Sequence, residues 1–475
     1  MAFVNNTMII RRELLTRIAA LVNEGKIEQE IDRIPLLMSK IPSQATDRCC
    51  KHKLRAVAKY KIMGLLGYGI EEETDELMPL KDYYDLSVNQ EISSPRILTV
   101  VDEACTSCVK TNYVVTNLCK GCIAQPCLLN CPKKAVFRHS NGKAEIDPEK
   151  CVSCGLCKEL CPYHAIIYMP VPCEESCPAG AIHKDNSGRE MINEEKCILC
   201  GKCVNACPFG SIMEHSQLFG VMKELKKRTK MVALPAPSVS GQFSCKDIEI
   251  FGALTALGFD QILEVSQGAT LTANAEAKEL DHELQDGKAF LSNSCCPAWV
   301  EAARKIIPEM APFISSTPTP LAYAAHLAKE KWPDHKTVFI GPCIAKRKEG
   351  KNNPDVDYVL TFEELGCWMD GWSIEPEKEF TWGSSTYIPP ASKGFAVCGG
   401  VACAVKTLRP ETTTAAYDGL DKKTIALLKS FALKKSAPAE FIEVMSCKGG
   451  CIAGPSAHQY PKDALKIFEN KKEEE

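Results

Sequence analysis

The chain has 475 residues, enough for about three domains, and its 45% hydrophobic and 25% charged residues are typical of a globular protein. Its formal net charge of −3 argues against a nucleic-acid binder, and no apolar run is long enough to span a bilayer. The 27 cysteines point to metal rather than disulfides, because disulfide-rich chains are usually small and secreted, and no export signal follows Arg11 and Arg12. We therefore expect a cytoplasmic metal protein with no membrane span and no nucleic-acid partner.

The first region, residues 1–95, is predicted to be mostly helical. Apolar residues recur at helical spacing over Ile9–Leu21 and Leu54–Leu66, with basic residues between them. Ser93, Ser94 and Pro95 are typical of a linker to the next region.

The second region, residues 96–215, contains three complete cysteine motifs. Two of them spell C-x2-C-x2-C-x3-C-P, and the third has two extra residues. Three closely spaced thiolates can wrap one 4Fe-4S cubane, and the fourth cysteine of each run typically serves the neighbouring cluster. Zinc knuckles are the alternative, but the trailing C-x3-C-P fits them poorly. The motif cysteines are Cys119, Cys122, Cys127 and Cys131; Cys151, Cys154, Cys157 and Cys161; and Cys197, Cys200, Cys203 and Cys207.

Four further cysteines of this region can be explained as one motif that an insertion, residues 109–172, divides into two pieces: Cys105, Cys108, Cys173 and Cys177. This interpretation predicts two nested ferredoxin-like modules, in which sixteen cysteines divide among four 4Fe-4S clusters. The inner sets would be Cys119, Cys122 and Cys127 with Cys161, and Cys151, Cys154 and Cys157 with Cys131. The outer sets would be Cys197, Cys200 and Cys203 with Cys177, and Cys105, Cys108 and Cys173 with Cys207.

The third region, residues 225–475, alternates short apolar strands with helical stretches, which is typical of an α/β domain. Its tail, Glu469–Glu475, is a charge run that we expect to fray. Four predicted strands each run into a loop that contains Cys or Pro: Met231–Leu234, Ala289–Leu291, Thr337–Ile340 and Phe441–Met445. Sites in open α/β sheets lie beyond the carboxyl ends of strands, so these loops should converge. Their cysteines would form one more cubane site, with Cys295 beside it as a spare thiol: Cys296, Cys343, Cys447 and Cys451. The overall fold class is thus α+β and α/β multidomain.

Three segments resemble the signature sequences of iron-only (FeFe) hydrogenases, and Ala236–Ser238 resembles the loop that precedes them: Ser294–Trp299, Gly341–Lys346 and Glu443–Cys451. The resemblance covers roughly residues 100–460. It implies an H-cluster, in which a cubane is joined through a cysteine thiolate to a two-iron unit that carries carbon monoxide, cyanide and an azadithiolate. By motif match, the cubane ligands are Cys296, Cys343, Cys447 and Cys451, of which Cys451 bridges to the two-iron unit. Pro237, Ser238 and Met445 would also bind this cofactor.

The resemblance also implies a proton path from the cofactor to the surface. Cys295 matches the family's first proton relay, a thiol that can exchange a proton. Glu276 and Glu279 match the two glutamates of the path, and their spacing places them on one face of a helix. Ser315 matches the hydroxyl between them. Lys346 would donate to one cyanide ligand as a fixed cation, and Ser238 could donate to the other.

The chain departs from the best-known members of this family near the expected site. Those members have Met at Gly341, Gln at Leu321, and Thr or Ser at Cys398. The departures resemble a divergent subgroup and affect the surroundings that tune the cofactor more than its identity. Six cysteines have no assigned role and are expected to be mostly buried thiols: Cys49, Cys50, Cys245, Cys367, Cys398 and Cys403.

The function that the resemblance implies is reversible oxidation of hydrogen to protons, in anaerobic hydrogen metabolism. Electrons would pass through the 4Fe-4S clusters to a ferredoxin-like carrier, and maturation proteins would supply the two-iron unit. No G-x-G-x-x-G follows a predicted strand, so nicotinamide or flavin binding is not expected. Two alternatives are an iron–sulfur assembly relative and a hydrogen sensor with little turnover. The predicted relay residues argue against the first, and the lack of a visible output module after residue 460 argues against the second.

Overall fold

The computed structural model describes residues 5–39, 50–89, 96–105, 108, 111–186, 188–378 and 388–474. Cys49 and the predicted linker at Ser93–Pro95 lie outside the described residues. Helices, antiparallel hairpins and parallel sheets are all present, which confirms the α+β and α/β multidomain class. Within these ranges, no helix combines the length and the apolar character that crossing a membrane requires.

The first region is helical, as predicted. Its longest helix begins after Asn5, whose side chain accepts a hydrogen bond from the Met8 N–H (3.0 Å), and ends at Gly25, which is left-handed (φ 69°). The five helices are α1 (Asn6–Glu24), α2 (Ile27–Glu30), α3 (Ile34–Met38), α4 (Lys51–Leu65) and α5 (Leu80–Asn89).

The cysteine-dense region consists of short antiparallel strands and one-turn helices. Its elements are β1 (Leu98–Val100), α6 (Asp102–Cys105), β2 (Tyr113–Val115), α7 (Pro126–Leu129), β3 (Val136–Arg138), β4 (Ala144–Ile146), α8 (Leu156–Glu159), β5 (Ile166–Tyr168), α9 (Pro172–Ser176), β6 (Ile182–Lys184), β7 (Glu190–Ile192), α10 (Lys202–Ala206) and β8 (Ile212–Glu214).

The strand pairing of this region is nested. Strand β1 pairs with β8, and between them in the chain β2 pairs with β5. Each outer pair encloses a hairpin, β3–β4 in the inner module and β6–β7 in the outer one. The inner module is therefore inserted into the outer one, in the arrangement that the divided cysteine motif predicts.

The third region contains two parallel sheets, in the orders β10-β9-β12-β13 and β11-β15-β14. Its elements are α11 (Leu218–Lys226), β9 (Met231–Pro235), α12 (Asp247–Ala256), β10 (Gln261–Ile262), α13 (Val265–Gln285), β11 (Leu291–Ser292), α14 (Pro297–Lys305), α15 (Pro320–Lys331), β12 (Lys336–Gly341), α16 (Ala345–Lys351), β13 (Tyr358–Thr361), α17 (Phe362–Trp372), α18 (Pro390–Lys393), α19 (Gly400–Leu408), β14 (Thr414–Asp418), α20 (Lys422–Lys434), β15 (Phe441–Met445) and α21 (Pro461–Glu474).

Two expectations for this region are wrong in detail. Strand β11 starts two residues later than predicted, because it is anchored at Ser292, whose carbonyl accepts the Ser315 N–H (2.7 Å). The charged tail does not fray within the described residues: α21 stays helical to Glu474. Its Phe468 is buried against Ile452 and Ala464, and this contact stabilises the last turns.

The first helical region shares a hydrophobic core with the first parallel sheet. Leu14 and Ile18 of α1 and Met63 of α4 belong to the same buried cluster as the apolar residues of β9 and β12. Helix α1 packs along α17, where Arg11 forms a buried salt bridge with Glu363 (2.6 Å). The N-terminal helices are thus packed onto the rest of the molecule by an extensive apolar contact.

Helices α13 and α15 approach so closely that only glycine fits at position 268. A Cβ atom there would lie 2.1 Å from the Pro320 carbonyl oxygen and 2.9 Å from the Ala324 nitrogen. We predict that Gly268→Ala lowers the free energy of unfolding by about 1–3 kcal/mol, because the backbones must separate. Gly64→Ala in α4 is the matched control: its Cβ would meet nothing closer than 3.8 Å, so it should not destabilise the protein. Denaturant unfolding of both variants tests this, and equal stabilities would contradict it.

Candidate functional site

Two cavities of the inner module are lined by predicted cluster ligands. Each is bordered by three cysteines of one motif and the fourth cysteine of the other. The first, of about 330 Å³ including space open to solvent, is lined by Cys119, Cys122, Cys127 and Cys161. The second, of about 360 Å³ on the same measure, is lined by Cys131, Cys151, Cys154 and Cys157. Among the described residues, no three His, Cys, Asp or Glu side chains gather as for a single metal ion.

The outer module gathers the other two predicted sets. Burial raises the pKa of Cys203 well above its usual value, and three nearby thiols raise it further: Cys200, Cys197 and Cys177. Burial also raises the pKa of Cys173 to about 12, with further contributions from Glu190, Cys207 and Cys108. Cys105 is a neighbour of Cys207 too. Crowded thiols of this kind are stabilised as thiolates when a metal coordinates them.

Backbone amides point at the sulfur atoms of the four cysteines of the second region that precede a proline. In each case the N–H four residues later donates to Sγ, which favours the charged thiolate. These hydrogen bonds run from Ala135 to Cys131 (3.2 Å), Ala165 to Cys161 (3.4 Å), Ala181 to Cys177 (3.2 Å) and Ser211 to Cys207 (3.4 Å). The repeated geometry gives the four positions the same local chemistry, as expected of equivalent cluster ligands.

The predicted cysteines of the third region converge at the carboxyl ends of the parallel strands. Cys296 follows β11, Cys343 follows β12, and Cys447 and Cys451 follow β15. Burial, and after it the charges of Cys296 and Cys343, raises the pKa of Cys451. Four thiols from both sheets therefore surround one place, hereafter the quartet.

One of the outer cysteine sets lies directly beside the quartet. Cys200 is among the thiols whose charge raises the pKa of Cys447, after burial and the quartet's own members. Gly201 makes this approach possible: its φ is 71°, and a Cβ there would lie 2.7 Å from Ile344 Cδ1 and 2.6 Å from Pro455 Cγ. Because Cys173 neighbours Cys203 in turn, the two outer sets and the quartet form one continuous series.

Cys295 is a half-buried thiol at the edge of the quartet. The Asn293 side chain donates a hydrogen bond to its sulfur (3.2 Å). Burial, followed by the charge of Glu276, raises its pKa well above the usual value. The thiol is therefore held in its protonated form next to a buried carboxyl group.

Glu276 and Glu279 both lie on α13, but their surroundings differ. Glu276 is fully buried and accepts hydrogen bonds at Oε1 from the Ser294 N–H (2.9 Å) and hydroxyl (3.3 Å). Its other oxygen, Oε2, is buried and has no hydrogen-bond partner among the described residues. Burial raises the pKa of Glu276 to about 7, although the Ser294 bonds oppose this. A carboxyl group of this kind is half-protonated near neutral pH and can both accept and release a proton.

Glu279 is held as a carboxylate near the surface. It accepts hydrogen bonds from the hydroxyls of Ser315 (2.5 Å) and Thr317 (2.8 Å), and from both the N–H and the hydroxyl of the exposed Ser316 (2.7 Å each). Burial acts against ionisation, but these donors outweigh it and lower the pKa of Glu279. Glu279 thus lies at the solvent side of the predicted path residues, beside the exposed Ser316.

Lys346 and Ser238 are buried beside the quartet. Burial disfavours the Lys346 ammonium, but the carboxylate of Glu349 at 2.6 Å outweighs this and raises its pKa. Ser238 lies in the turn after β9, and its hydroxyl is buried with no hydrogen-bond partner among the described residues. An unpartnered buried hydroxyl costs free energy unless a ligand accepts its hydrogen bond. Pro237 begins the same turn, and Met445 ends β15 as a buried residue.

The structure explains one departure from the expected pattern. A Cβ at Gly341 would lie 2.6 Å from the ring of Phe339, which occupies the space beside it on the same face of β12. Leu321 is fully buried in the core, and Cys398 is half-buried with its pKa raised to about 12, first by burial and then by Glu443 and Asp418. Of the other unassigned cysteines, Cys245 and Cys367 are buried as expected, whereas Cys50 and Cys403 are exposed.

Two residues that the sequence reasoning did not single out shape the site. Asn293 joins strands as well as holding Cys295, because its side-chain oxygen accepts the Val444 N–H (2.8 Å). Glu443 is fully buried and accepts the N–H groups of Gly399 (2.9 Å) and Ala402 (2.8 Å) at the start of α19. The sequence does contain a signal for Glu443. It is the single acidic residue within the otherwise apolar strand Phe441–Met445, and such a residue indicates a buried polar partner.

Comparison with known proteins places these observations in a family. Residues 229–455 match the family described as iron only hydrogenase large subunit, C-terminal domain. Residues 144–167 match a 4Fe-4S binding domain, and residues 167–218 match the LdpA Fe-S cluster-binding domain.

Two curated relatives are distant in sequence, and both are hydrogenases. The chain is 27% identical to iron hydrogenase 1 of Clostridium pasteurianum (46% of this chain, 47% of that protein). It is also 27% identical to the NADP-reducing hydrogenase subunit HndD of Solidesulfovibrio fructosivorans (52% and 53%). The chain thus spans about half the length of these two relatives. A solved structure of the [FeFe]-hydrogenase HydA1 from Chlamydomonas reinhardtii is 19% identical, with a TM-score of 0.45 over 53% of this chain and 88% of that one.

The matched domains follow the order of the cysteine sets along the chain, with the cluster-binding domains first and the strand-end quartet in the last. The chain is therefore iron-only hydrogenase-like: residues 229–455 match the C-terminal domain of the iron-only hydrogenase large subunit, and matches to 4Fe-4S binding domains precede it.

Proposed function

We propose that this protein is a cytoplasmic hydrogenase that interconverts hydrogen with protons and electrons at an H-cluster. The observation that carries the proposal is the pair formed by Cys295 and Glu276. A protonated thiol lies at the edge of the quartet, and a fully buried carboxyl group with a pKa of about 7 lies beside it. The unpartnered Oε2 of Glu276 leaves this carboxyl group able to form the further hydrogen bond through which a relay takes up or releases a proton.

The residues fit an H-cluster in their donor chemistry. Cys296, Cys343, Cys447 and Cys451 would hold the cubane, and Cys451 would also bind the two-iron unit. The buried, unpartnered hydroxyl of Ser238 and the fixed ammonium of Lys346 provide hydrogen-bond donors for cyanide ligands. When bound, the cofactor supplies the metal centre at which hydrogen is split heterolytically. Pro237 and Met445 would contribute apolar surface that excludes water from this centre.

The protein's own residues would then move the proton. Cys295 exchanges it with Glu276, whose unpartnered Oε2 is available for a hydrogen bond. Hydroxyl groups border the space between the two glutamates and would carry the proton across it: the Ser294 hydroxyl contacts Glu276 (3.3 Å), and the Thr317 hydroxyl donates to Glu279. Ser315 donates to Glu279 as well. From Glu279 the proton reaches solvent beside the exposed Ser316.

Electrons would leave through four accessory 4Fe-4S clusters. The outer set that contains Cys200 is adjacent to the quartet, and the outer set that contains Cys173 follows it. Thiolate-bound cubanes transfer single electrons and bind no substrate, so their role is conduction between the quartet and an external partner. Maturation proteins would be needed to deliver the two-iron unit.

The inner module offers the surface on which a ferredoxin-like carrier would dock. Residues 111–170 contain seven Lys and Arg against four Asp and Glu, a net charge of +3 in a chain whose net charge is −3. Large apolar side chains are exposed around its cavities, among them Ile123 (97%) and Leu129 (79%). A basic surface with exposed apolar residues complements an acidic protein partner.

The nested cluster assignment makes a direct prediction. Cys105→Ala or Cys173→Ala should each remove one accessory cluster, about four of some twenty cubane irons, while the other cubanes remain. The reason is that each residue contributes to one outer set only. Iron and sulfide analysis with electron paramagnetic resonance of the purified variants measures this. Retention of every cluster in both variants would show that these cysteines are not ligands.

The function itself is tested by infrared spectroscopy and turnover of the maturated protein. Carbonyl and cyanide bands together with hydrogen evolution from a reduced carrier are expected. A second candidate has one supporting observation: the chain is 29% identical over 144 residues to the cytosolic Fe-S cluster assembly factor NAR1 of Lodderomyces elongisporus. Such a protein, or a hydrogen sensor, would show little or no turnover even when its cubanes are complete.

A further inference from the structure

A lysine from the N-terminal helices is buried against one accessory cluster set. Lys61 lies on α4 and is only 4% exposed. Its Nζ is 3.0 Å from the position that a Cβ at Gly210 would occupy, in the turn directly after Cys207. The Gly210 N–H donates to the Cys207 carbonyl (3.1 Å), so the turn is rigidly tied to that cysteine. The ammonium therefore lies beside the set formed by Cys105, Cys108, Cys173 and Cys207.

No carboxylate is among the charged groups that act on this ammonium in the described part of the chain. Burial and then repulsion by Arg11 lower the pKa of Lys61 to about 8, and only Cys207 acts in the opposite direction. Arg11 itself is neutralised by Glu363 at 2.6 Å. A buried cation without a counter-charge is strongly unfavourable, so proteins seldom retain one.

A 4Fe-4S cubane with four thiolates supplies the missing negative charge. It carries net negative charge when oxidised and gains one more on reduction, so a nearby buried cation favours the reduced state. We propose that Lys61 is the counter-cation of the cluster at Cys105, Cys108, Cys173 and Cys207, and that it raises the reduction potential of that cluster. The inference rests on the proposed cluster assignment but not on hydrogen turnover.

The neighbouring cluster has cations of its own. Near Cys197, the Lys305 ammonium donates to the Cys197 carbonyl (2.7 Å), but it is also paired with Glu301 (3.2 Å), so its net effect on that cluster is small. The charge of Lys202 acts on Cys200, and its ammonium donates to the Leu420 carbonyl. The proposal therefore concerns the potential of the Lys61 cluster itself, which the ammonium makes easier to reduce than it would be with a neutral side chain at this position.

The test is a redox titration of the full chain with its accessory clusters loaded, followed by electron paramagnetic resonance. The signal that disappears in Cys105→Ala identifies the cluster concerned. At fixed potential, Lys61→Met should lower the reduced-to-oxidised ratio of that cluster about tenfold, which is 59 mV for a one-electron couple. Lys61→Arg keeps the charge and should stay close to the native value. Lys59→Met is the matched control on the same helix, because Lys59 is already paired with Glu73 (3.4 Å).

Three outcomes would overturn the proposal. They are an unchanged potential in Lys61→Met, a shift confined to other clusters, and equal shifts in Lys61→Met and Lys59→Met. If Lys61→Met fails to retain the cluster, Lys61→Gln and Lys61→Arg decide the question: a lower potential in the first alone supports the proposal, and equal potentials contradict it. A protein that shows no hydrogen turnover but gives the expected shift would refute the proposed function and leave this inference standing.

Discussion

Replacing Cys295 by Ala should leave the H-cluster in place and lower hydrogen turnover by about 10²- to 10⁴-fold, the range typical of a lost general acid–base group. Cys295 and Cys296 are adjacent, yet their surroundings differ. Cys296 begins α14 and belongs to the quartet, whereas Cys295 is hydrogen-bonded by Asn293 and faces Glu276. If Cys296 is a cluster ligand it is a permanent thiolate, so only Cys295 is free to exchange a proton.

The measurement is turnover of Cys295→Ala protein whose infrared bands show a complete cofactor. Cys295→Asp should recover part of the rate, because a carboxyl group can also relay a proton. Cys296→Ala is the contrasting variant and should disrupt the cubane itself. Near-normal turnover of cofactor-replete Cys295→Ala would mean that protons leave by another route, and the role of Glu276 and Glu279 would fall with it.

Glu276→Gln should also lower turnover by orders of magnitude while every cluster is retained. The amide has the shape of the carboxyl group and can still accept the Ser294 N–H, but it cannot take up and release a proton. Glu283→Gln is the control on the same helix, because Glu283 pairs with Lys288 away from the path. Equal turnover of the native protein and Glu276→Gln would exclude Glu276 as a relay.

The same variant makes a prediction about stability and pH. Glu276 has a pKa of about 7 in the folded protein, raised from its ordinary value of 4.5 by burial. The unfolded chain therefore ionises first, and the native protein loses stability as the pH rises from about 4.5 through 7. The amide of Glu276→Gln does not ionise, so the variant does not lose stability in this way. Its free energy of unfolding, relative to that of the native protein, should therefore increase by about 3 kcal/mol between pH 4 and pH 8. Chemical unfolding at the two pH values measures the difference.

The sequence predicts those parts of the site whose geometry is local. Cysteine spacing places three thiols of each undivided motif within one loop, and the i, i+3 spacing puts Glu276 and Glu279 on one face of α13. The Cys–Pro turns repeat the same N–H to sulfur bond because their backbone conformation depends only on neighbouring residues. The strand-end rule also brings the loops of Cys296 and Cys447 to one place, because β11 and β15 are parallel neighbours and their carboxyl ends lie at one edge of the same sheet.

The parts that could not be predicted depend on contacts between distant segments. In the sequence, Lys61 is one of several basic residues on an amphipathic helix. Only the packing of α4 against β8 brings it close to Cys207. The sequence does not indicate that the ring of Phe339 occupies the space beside Gly341. The exact start of β11 depends on the Ser315 N–H to Ser292 carbonyl bond. In each case the deciding partner is far away in the chain.

The nesting of the two cysteine modules sets the order in which the protein can assemble during synthesis. The inner pair joins Tyr113 to Tyr168, 55 residues apart, whereas the outer pair joins Leu98 to Glu214, 116 residues apart. All eight inner ligands have left the ribosome before the outer module can close, and longer loops close at greater entropic cost. Iron–sulfur clusters delivered during translation would thus occupy the inner sites first. The thiols of Cys105 and Cys108 would remain accessible to oxidants until β8 has been synthesised and has paired with β1.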